Sequence, residues 1–315
     1  MDITNAQTSN IFSFATEQAK TIVQLHYIDL AMCFIILAIV AGLMTAIVLK
    51  FRHRGETDYP EQTHGNLKYE IGWTLVPTLT LIVMGILTAI VMHSVNPPIG
   101  KTQPDVIVVG HQWWWEYRYP KYGVVTANEL YLPVGKNSLL ELRAADVIHS
   151  FWVPNFGEKM DCIPGHTNNL FLQPTQIGVF TGSCSEYCGA QHGLMRILVN
   201  VVPQKDFEAW IDTQKKVPAA PTEAHQVNGE KLLLAKTCME CHNVAGTAAV
   251  ARVAPDLTHI ATRRTLGSGV IANNMDNLTN WIMNPQTIKP GCMMPEMRLA
   301  KSDAHDIAAY LENLK

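Results

Sequence analysis

Four residues in "GSCSEYCGAQHGLM" carry soft-metal chemistry: Cys184, Cys188, His192 and Met195, at positions i, i+4, i+8 and i+11. Two thiolates, an imidazole and a thioether within one short stretch can hold a metal ion tightly. Zinc is the usual occupant of Cys/His clusters, but it takes Cys, His and carboxylate, whereas thioether ligands select copper. Two thiolates four residues apart can also bridge two metal ions. A second group stands further on, Cys238, Cys241 and His242 in "CMECH". This Cys-x-x-Cys-His spacing reads as covalent attachment of a c-type haem, with His242 as the proximal ligand. A redox dithiol would need a βαβ setting, and half a zinc site would need a partner pair that Cys292 alone does not supply. The sixth ligand of such a haem is expected downstream, where "IKPGCMMPEM" offers Met293, Met294 and Met297.

The first group has to be positioned by something other than a helix, although its spacing fits one face of a helix. Gly182, Gly189 and Gly193 would each cost a helix about 1 kcal/mol relative to alanine, and Ser183 and Ser185 add to the deficit. A loop between two strands is therefore expected. A second histidine must come from elsewhere, with His111, His149 and His166 as candidates. His149 lies in "DVIHSFWVP", an aliphatic strand running into aromatic residues. From Pro104 to Pro203 short strand-like runs alternate with turn residues, among them "DVIVVGHQWWWEYRY" and "RILVNVV", which predicts an all-β sandwich. Strict alternation through the tryptophans puts Trp113 and Trp115 on one face and Trp114 on the other.

The rest of the chain divides around that sandwich. Hydrophobic residues make up 48% of the 315 residues and charged residues only 16%, low against roughly 25% for a soluble domain. Two uncharged apolar runs explain the shortfall: 30–49, "LAMCFIILAIVAGLMTAIVL", and 71–92, "IGWTLVPTLTLIVMGILTAIVM". Each is long enough to cross a hydrocarbon layer of about 30 Å, and Pro77 is a possible kink that a membrane helix tolerates. Lys50, Arg52, Arg54 and Lys68 flank the loop between them, and only Lys20 precedes the first run. The excess of positive charge places that loop in the cytoplasm and both termini outside. No basic n-region marks a signal peptide at the start. The net charge of −3 argues against nucleic acid as a partner.

After the sandwich, "QKDFEAWIDTQKK" predicts a short amphipathic helix with Phe207, Trp210 and Ile211 on one side. "VPAAPTEAHQ" reads as a linker. The remainder predicts a small all-α domain, opening with a helix capped by Asn228 and closing with one capped by Ser302 whose apolar stripe is Ile307, Tyr310, Leu311 and Leu314. The expected division is 1–97 for an N-terminal segment and transmembrane hairpin, 98–216 for the sandwich, 217–226 for the linker and 227–315 for the C-terminal domain.

"DVIHSFWVP", "GSCSEYCGAQHGLM" and "GHQWWWEY" resemble, in order, the signature segments of the cytochrome c oxidase subunit II family, over residues ~28–203. The resemblance implies a cupredoxin β-sandwich on a transmembrane hairpin, holding the binuclear copper centre CuA. Its ligands would be His149, Cys184, Cys188, His192, Met195 and the backbone carbonyl of Glu186. The carboxylate of Glu186 would meet a magnesium ion at the border with the catalytic subunit, and Trp113 would mark the surface where electrons enter. "YEIGWTLVP" matches as well, making Glu70 the mouth of a proton channel; the plainer reading is an acid favoured at a helix N-terminus. "KMDCIPGHTNN" resembles the segment facing the catalytic subunit, with Lys159 and Asp161 kept and His166 where many members have arginine. Cys162 reads as a small buried apolar residue. "IKPGCMMPEM" resembles the methionine loop of class I cytochromes c, where the ligand directly precedes proline, so Met294 is the expected axial ligand. "VAPDLTHIATR" resembles the loop covering the haem.

Taken together these features predict subunit II of a caa3-type haem–copper oxidase with a fused cytochrome c domain. It would be a two-pass protein of the bacterial cytoplasmic membrane, both metal domains outside, in contact with membrane lipid and an upstream electron donor. Neither apolar run contains a histidine, since His26 and His93 lie outside them. The chain therefore needs a catalytic subunit I and its companions to ligate haems in the bilayer and reduce oxygen. Two other readings are the copper domain of a nitrous oxide reductase-like enzyme and a membrane-anchored copper carrier. The first needs a large propeller and no hairpin; the second does not explain "CMECH".

Overall fold

A computed structural model describes residues 10–55, 62–96 and 103–315. The boundary expected at 97–98, part of the loop between the apolar runs and the start of the N-terminal segment lie outside the described residues.

Two long helices correspond to the two apolar runs: α1, Glu17–Phe51, and α2, Leu67–Val95. Both extend beyond the uncharged stretches. Their side chains face outward along most of their length, with Phe34 at 68% and Leu81 at 71% exposure. Such apolar surface fits a hydrocarbon surround. At the start of α2, Asn66 accepts from the Lys68 amide (3.1 Å), and Glu70 accepts from the Asn66 amide (3.2 Å). Each satisfies a backbone N–H, one in the first turn and one at the cap itself. Pro77 lies within α2, which runs on without interruption. The described residues up to Ala19 group with the sandwich rather than with the long helices: Thr16 Oγ1 donates to the Phe156 carbonyl (2.8 Å), and the Ala15 amide to that of Asn155 (2.8 Å).

The sandwich is built from β1 Val106–His111, β2 Trp114–Tyr119, β3 Val124–Ala127, β4 Glu129–Pro133, β5 Ser138–Ala144, β6 His149–Trp152, β7 Met160–Cys162, β8 Asn168–Leu172, β9 Gly178–Cys184 and β10 Arg196–Val202. They form two five-stranded sheets, ordered β3-β2-β1-β5-β8 and β4-β10-β9-β6-β7. Alternating residues from both sheets fill the core, among them Val108, Tyr117, Leu140, Phe180 and Val199, as a sandwich requires. The tryptophan run is not one strand. β1 and β2 form a hairpin that pairs His111 with Trp114, so Gln112 and Trp113 are its turn. Trp115 is fully buried, and Trp114 stacks on His111 with ring centroids 4.1 Å apart. Helix α3, Gln204–Gln214, closes one end: Phe207 and Ile211 are buried, and Trp210 stacks on Tyr131 at 4.3 Å.

The C-terminal domain packs α4 (Ala224–Ala235), α5 (Met275–Met283) and α6 (Lys301–Asn313) around Leu233, Leu278, Ile307 and Leu311, with a two-stranded ribbon, β11 Thr265–Leu266 and β12 Ile271–Ala272. Gly229 lets α4 and α6 approach: a Cβ there would lie 1.9 Å from the Asp306 carbonyl oxygen. The expected caps are corrected. Helix α4 begins four residues before Asn228, whose amide instead donates to Asp306 Oδ2 (2.7 Å). In α6 the cap position belongs to Ala300, and Ser302 sits inside the first turn. The all-α expectation misses only the short ribbon. Ile307, Tyr310, Leu311 and Leu314 are all buried. Linker residue Ala219 accepts from the Asn313 amide (3.1 Å), so the linker lies along this domain.

The C-terminal domain and the sandwich group as one compact unit. Glu129 Oε1 on β4 accepts from the amides of Arg264 (2.6 Å) and Thr265 (3.0 Å). On β10, the Arg196 amide donates to the Ser268 carbonyl (3.2 Å) and Ser268 Oγ returns a bond to the Arg196 carbonyl (3.0 Å).

Candidate functional site

Two cysteine sulfurs form the centre of the first site. Cys184 ends β9, Cys188 sits in the loop that follows, and their Sγ atoms are 3.8 Å apart. A disulfide would bring them to about 2.05 Å, so both sulfurs remain available as ligands. Around them lie four more donors. His149 Nδ1 is 3.9 Å from Cys184 Sγ, and the Glu186 carbonyl oxygen 3.3 Å. His192 Nδ1 is 3.7 Å from Cys188 Sγ, and Met195 Sδ 3.9 Å. His149, Cys184 and Cys188 are buried and mutually close enough to share a metal ion. Of the three histidine candidates, His149 is the one at the sulfurs. His111 is engaged by Glu116 at 3.0 Å, and His166 is exposed on a turn.

Strand register and loop shape deliver these atoms. β6 lies between β9 and β7, pairing Phe151 with Cys184 and His149 with Cys162. The loop from Cys184 to Arg196 is closed by a short 3-10 turn, His192–Leu194, as the glycines predict. Gly189 has φ +112°, and a Cβ there would lie 3.0 Å from the Trp113 ring. Gly182 is equally constrained, its Cβ position being 2.2 Å from the Trp152 carbonyl oxygen.

Residues next to the donors set their protonation. His149 Nε2 is 2.8 Å from Asp146 Oδ1. An ionised carboxylate only accepts, so Nε2 carries the hydrogen and Nδ1 presents its lone pair to the sulfurs. Burial opposes a charged His149 ring, but the bonds to Cys184 and Asp146 outweigh it and raise its pKa. The Cys184 thiol is pulled well below its usual range, first by its hydrogen bond with Cys188 and, against burial, by His149. The same pairing pushes Cys188 up. Two cysteine sulfurs, two imidazole nitrogens and a thioether sulfur make a soft donor set that fits copper. Asp146 opens the segment "DVIHSFWVP", yet its reach to the ring follows only from the turn before β6. Trp113 Nε1 and Gln112 Nε2 both donate to the Cys188 carbonyl, at 2.9 and 2.8 Å. Sequence reasoning singled out Trp113 but missed Asp146, Gln112 and Gly189. Cys162 is wholly buried, as expected, and burial pushes its thiol up.

The second site is organised by a short 3-10 turn, Thr237–Glu240, which places Cys238 and Cys241 as free thiols ahead of His242. His242 Nδ1 lies 2.7 Å from the Pro255 carbonyl. A carbonyl accepts only, so Nε2 is the free ligand nitrogen, and burial keeps the ring neutral. His259 is buried with neither ring nitrogen partnered, and Arg263 keeps its Nε buried and unpartnered. Both lie in the 253–263 segment expected to cover a haem. These orphaned polar atoms and the two free thiols fit a large group carrying its own acceptors. Met294 is half-buried, and its carbonyl accepts from Gln286 Nε2 (2.8 Å); Met293 is 69% exposed.

Two predicted carboxylates lie apart from both donor sets. Glu186 points its carboxylate towards Lys159, 3.8 Å away, with both side chains about half exposed. Glu70 serves the start of α2 as described.

Comparisons with known proteins bear on all three parts of the chain. The family model for the cytochrome c oxidase subunit II transmembrane domain matches residues 5–90, that for the subunit II periplasmic domain residues 123–202, and that for cytochrome c residues 226–315. Cytochrome c oxidase subunit 2 of Alkalihalophilus pseudofirmus is 34% identical over 300 residues, covering 92% of this chain and 87% of that protein. The Bacillus subtilis protein of the same name is 33% identical over 290 residues, covering 85% and 81%. The crystal structure of the periplasmic domain of cytochrome oxidase subunit II from Bradyrhizobium japonicum shares 34% identity over 38% of this chain and 97% of that one, with a TM-score of 0.36.

Proposed function

The chain belongs to the cytochrome c oxidase subunit II family and carries a cytochrome c domain at its C-terminus, and from that premise we propose that it is the electron-transfer subunit of a caa3-type oxidase. As a subunit II it is a component of a haem–copper oxidoreductase and works in assembly with catalytic subunits. Bound there, a copper pair and a haem would supply one-electron chemistry, serving delivery of electrons from haem c through copper to a catalytic subunit that reduces oxygen and translocates protons.

The residues have distinct tasks in this reading. His149, Cys184, Cys188, His192, Met195 and the Glu186 carbonyl hold the copper pair. Asp146 fixes the His149 tautomer. The strand ends and the buried ring of Trp115 exclude water, and a stiff, dry donor set keeps rearrangement on electron transfer small. Cys238 and Cys241 would hold the haem through thioether bonds, with His242 Nε2 and Met294 as the residues to ligate its iron. A His/Met pair raises the haem potential, which suits a donor to copper. The carboxylate of Glu186 would offer one oxygen ligand to a magnesium ion at the border with the catalytic subunit; in this chain alone it faces the half-exposed Lys159. Glu70, beyond its capping role, stands at a proton inlet. Both metal domains lie on the extracytoplasmic side of a bacterial membrane.

The observation that carries the reading is the gathering of four further donor atoms around two unbridged sulfurs. Oxygen consumption by the assembled complex tests it: Cys184→Ser should abolish turnover while leaving haem c reducible. Turnover that survives Cys184→Ser would overturn the reading.

A further inference from the structure

Lys289 is the most deeply buried lysine among the described residues, at 3% exposure, and neither site uses it. It belongs to the loop between α5 and α6 that also carries Met294. Its Nζ donates to two carbonyls, that of Gly267 in its own domain (2.9 Å) and that of Trp113 across the junction with the sandwich (2.8 Å). The Trp113 indole in turn donates to the Cys188 carbonyl (2.9 Å). On the other side, the Cys292 amide donates to the Lys289 carbonyl (3.1 Å), and Gln286 Nε2 ties the Cys292 and Met294 carbonyls together at 2.9 and 2.8 Å. An unbroken series of covalent and hydrogen bonds therefore runs from the methionine loop, through one lysine, to a cysteine of the sulfur pair. The same loop seats Gly291 at ordinary contact distance from the sandwich, its Cβ position 3.5 Å from Gln191 Nε2 and 3.6 Å from Ala190 Cβ, next to His192 in sequence.

A buried ammonium is costly unless its hydrogens are used. Burial pushes Lys289 down to about 8. A lysine tolerated under those conditions is held by the geometry of its acceptors. The hydrogen bonds of Glu129 with Arg264 and Thr265 and of Arg196 with Ser268 also join the domains, and they touch neither the methionine loop nor Trp113.

We propose that Lys289 is a positioning residue for electron transfer within this chain, clamping the methionine loop of the C-terminal domain onto the Gln112–Trp113 turn beside Cys188. The proposal rests on the function proposed above. The transfer it serves balances simply: one electron lost by the haem iron is gained by the copper pair, with no bond made or broken and no proton moved.

The test uses the assembled oxidase, with copper and haem content measured first. A wild-type chain lacking either centre would refute the function proposed above, and hydrogen exchange would then still decide whether Lys289 clamps the junction. Lys289→Met should speed amide exchange in the 264–269 and 285–292 segments. It should also slow haem oxidation after a photochemical pulse of reductant several-fold, as a lengthened electron-transfer distance requires. The later step from copper to the catalytic subunit should keep its rate. Lys289→Arg should restore much of the loss, and Glu129→Gln, which keeps an acceptor oxygen in place, should leave the haem-to-copper rate unchanged. If Lys289→Met does not assemble, Lys289→Gln carries the same measurements. Unchanged exchange and an unchanged haem-to-copper rate would overturn the proposal. So would equal slowing of both electron-transfer steps, which marks general damage.

Discussion

At the scale of single residues, the donor set depends on neighbours that are not donors. Asp146 accepts from His149 Nε2 at 2.8 Å and so decides which nitrogen faces the sulfurs. Removal of such partners weakens metal sites by about 10–100-fold. Asp146→Ala, which removes the acceptor, should therefore weaken copper binding by about that order in a competition titration, with haem content unchanged; copper affinity equal to wild type would contradict the assigned tautomer. Gly189 makes a second case. Its φ of +112° strains any L side chain, and the Trp113 ring lies 3.0 Å from the Cβ position. Gly189→Ala should lower the thermal midpoint of the sandwich, at a cost of roughly 1–3 kcal/mol, and shift Trp113 fluorescence. The residue types of the donors were readable from the sequence because Cys, His and Met at close spacing have few other uses. Asp146, Gln112 and Gly189 were not, because an acid, an amide and a glycine have many uses until the turn geometry aims them.

At the scale of elements, composition and periodicity locate what is long or repetitive and miss what is short. The two apolar helices, the strands of the sandwich and the stripe of α6 all follow from patterns of period 3.6 or 2 or from unbroken apolar runs. The tryptophan run misleads because alternation continues formally through a two-residue turn, and only the His111–Trp114 pairing reveals the hairpin. The caps mislead for a related reason. Asn228 and Ser302 have the right chemistry, but α4 starts earlier because Ala224–Val227 can continue its helical geometry, and Asn228 is better used against Asp306. That contact has a pH signature. Bonds from Asn228 and His225 hold the Asp306 carboxyl below its usual 3.8. A depressed carboxylate stabilises the fold above its unfolded pKa, and the gain disappears as pH falls through the lower folded value. The thermal midpoint of the C-terminal domain should therefore drop below about pH 4, and Asp306→Asn should flatten that part of the profile. An identical acid limb in the variant would contradict the role of the α4–α6 contact.

At the scale of the whole molecule, fusion replaces a diffusing electron donor with one held in place. A tether of this length gives an effective concentration in the mM range, and the buried bonds of Glu129 and Lys289 add a defined seat. Buried contacts are little screened by salt. Oxygen consumption fed through the C-terminal domain should thus vary little between low and moderate ionic strength and need no added soluble cytochrome c. A steep fall with salt would mean that the domain works from an undocked state. The Pro/Ala linker is what leads to the expectation of two domains in sequence. Their seat was not legible there, because Glu129, Arg196 and Lys289 carry no sign in sequence of which surface they face. The central claim is that one chain holds a copper pair and a covalent haem. Metal counting on the purified complex tests it most directly: wild type should contain two coppers and one haem iron per copy of this chain, and Cys184→Ser should lose the copper and keep the iron. Zinc in place of copper, or copper retained without Cys184, would contradict it.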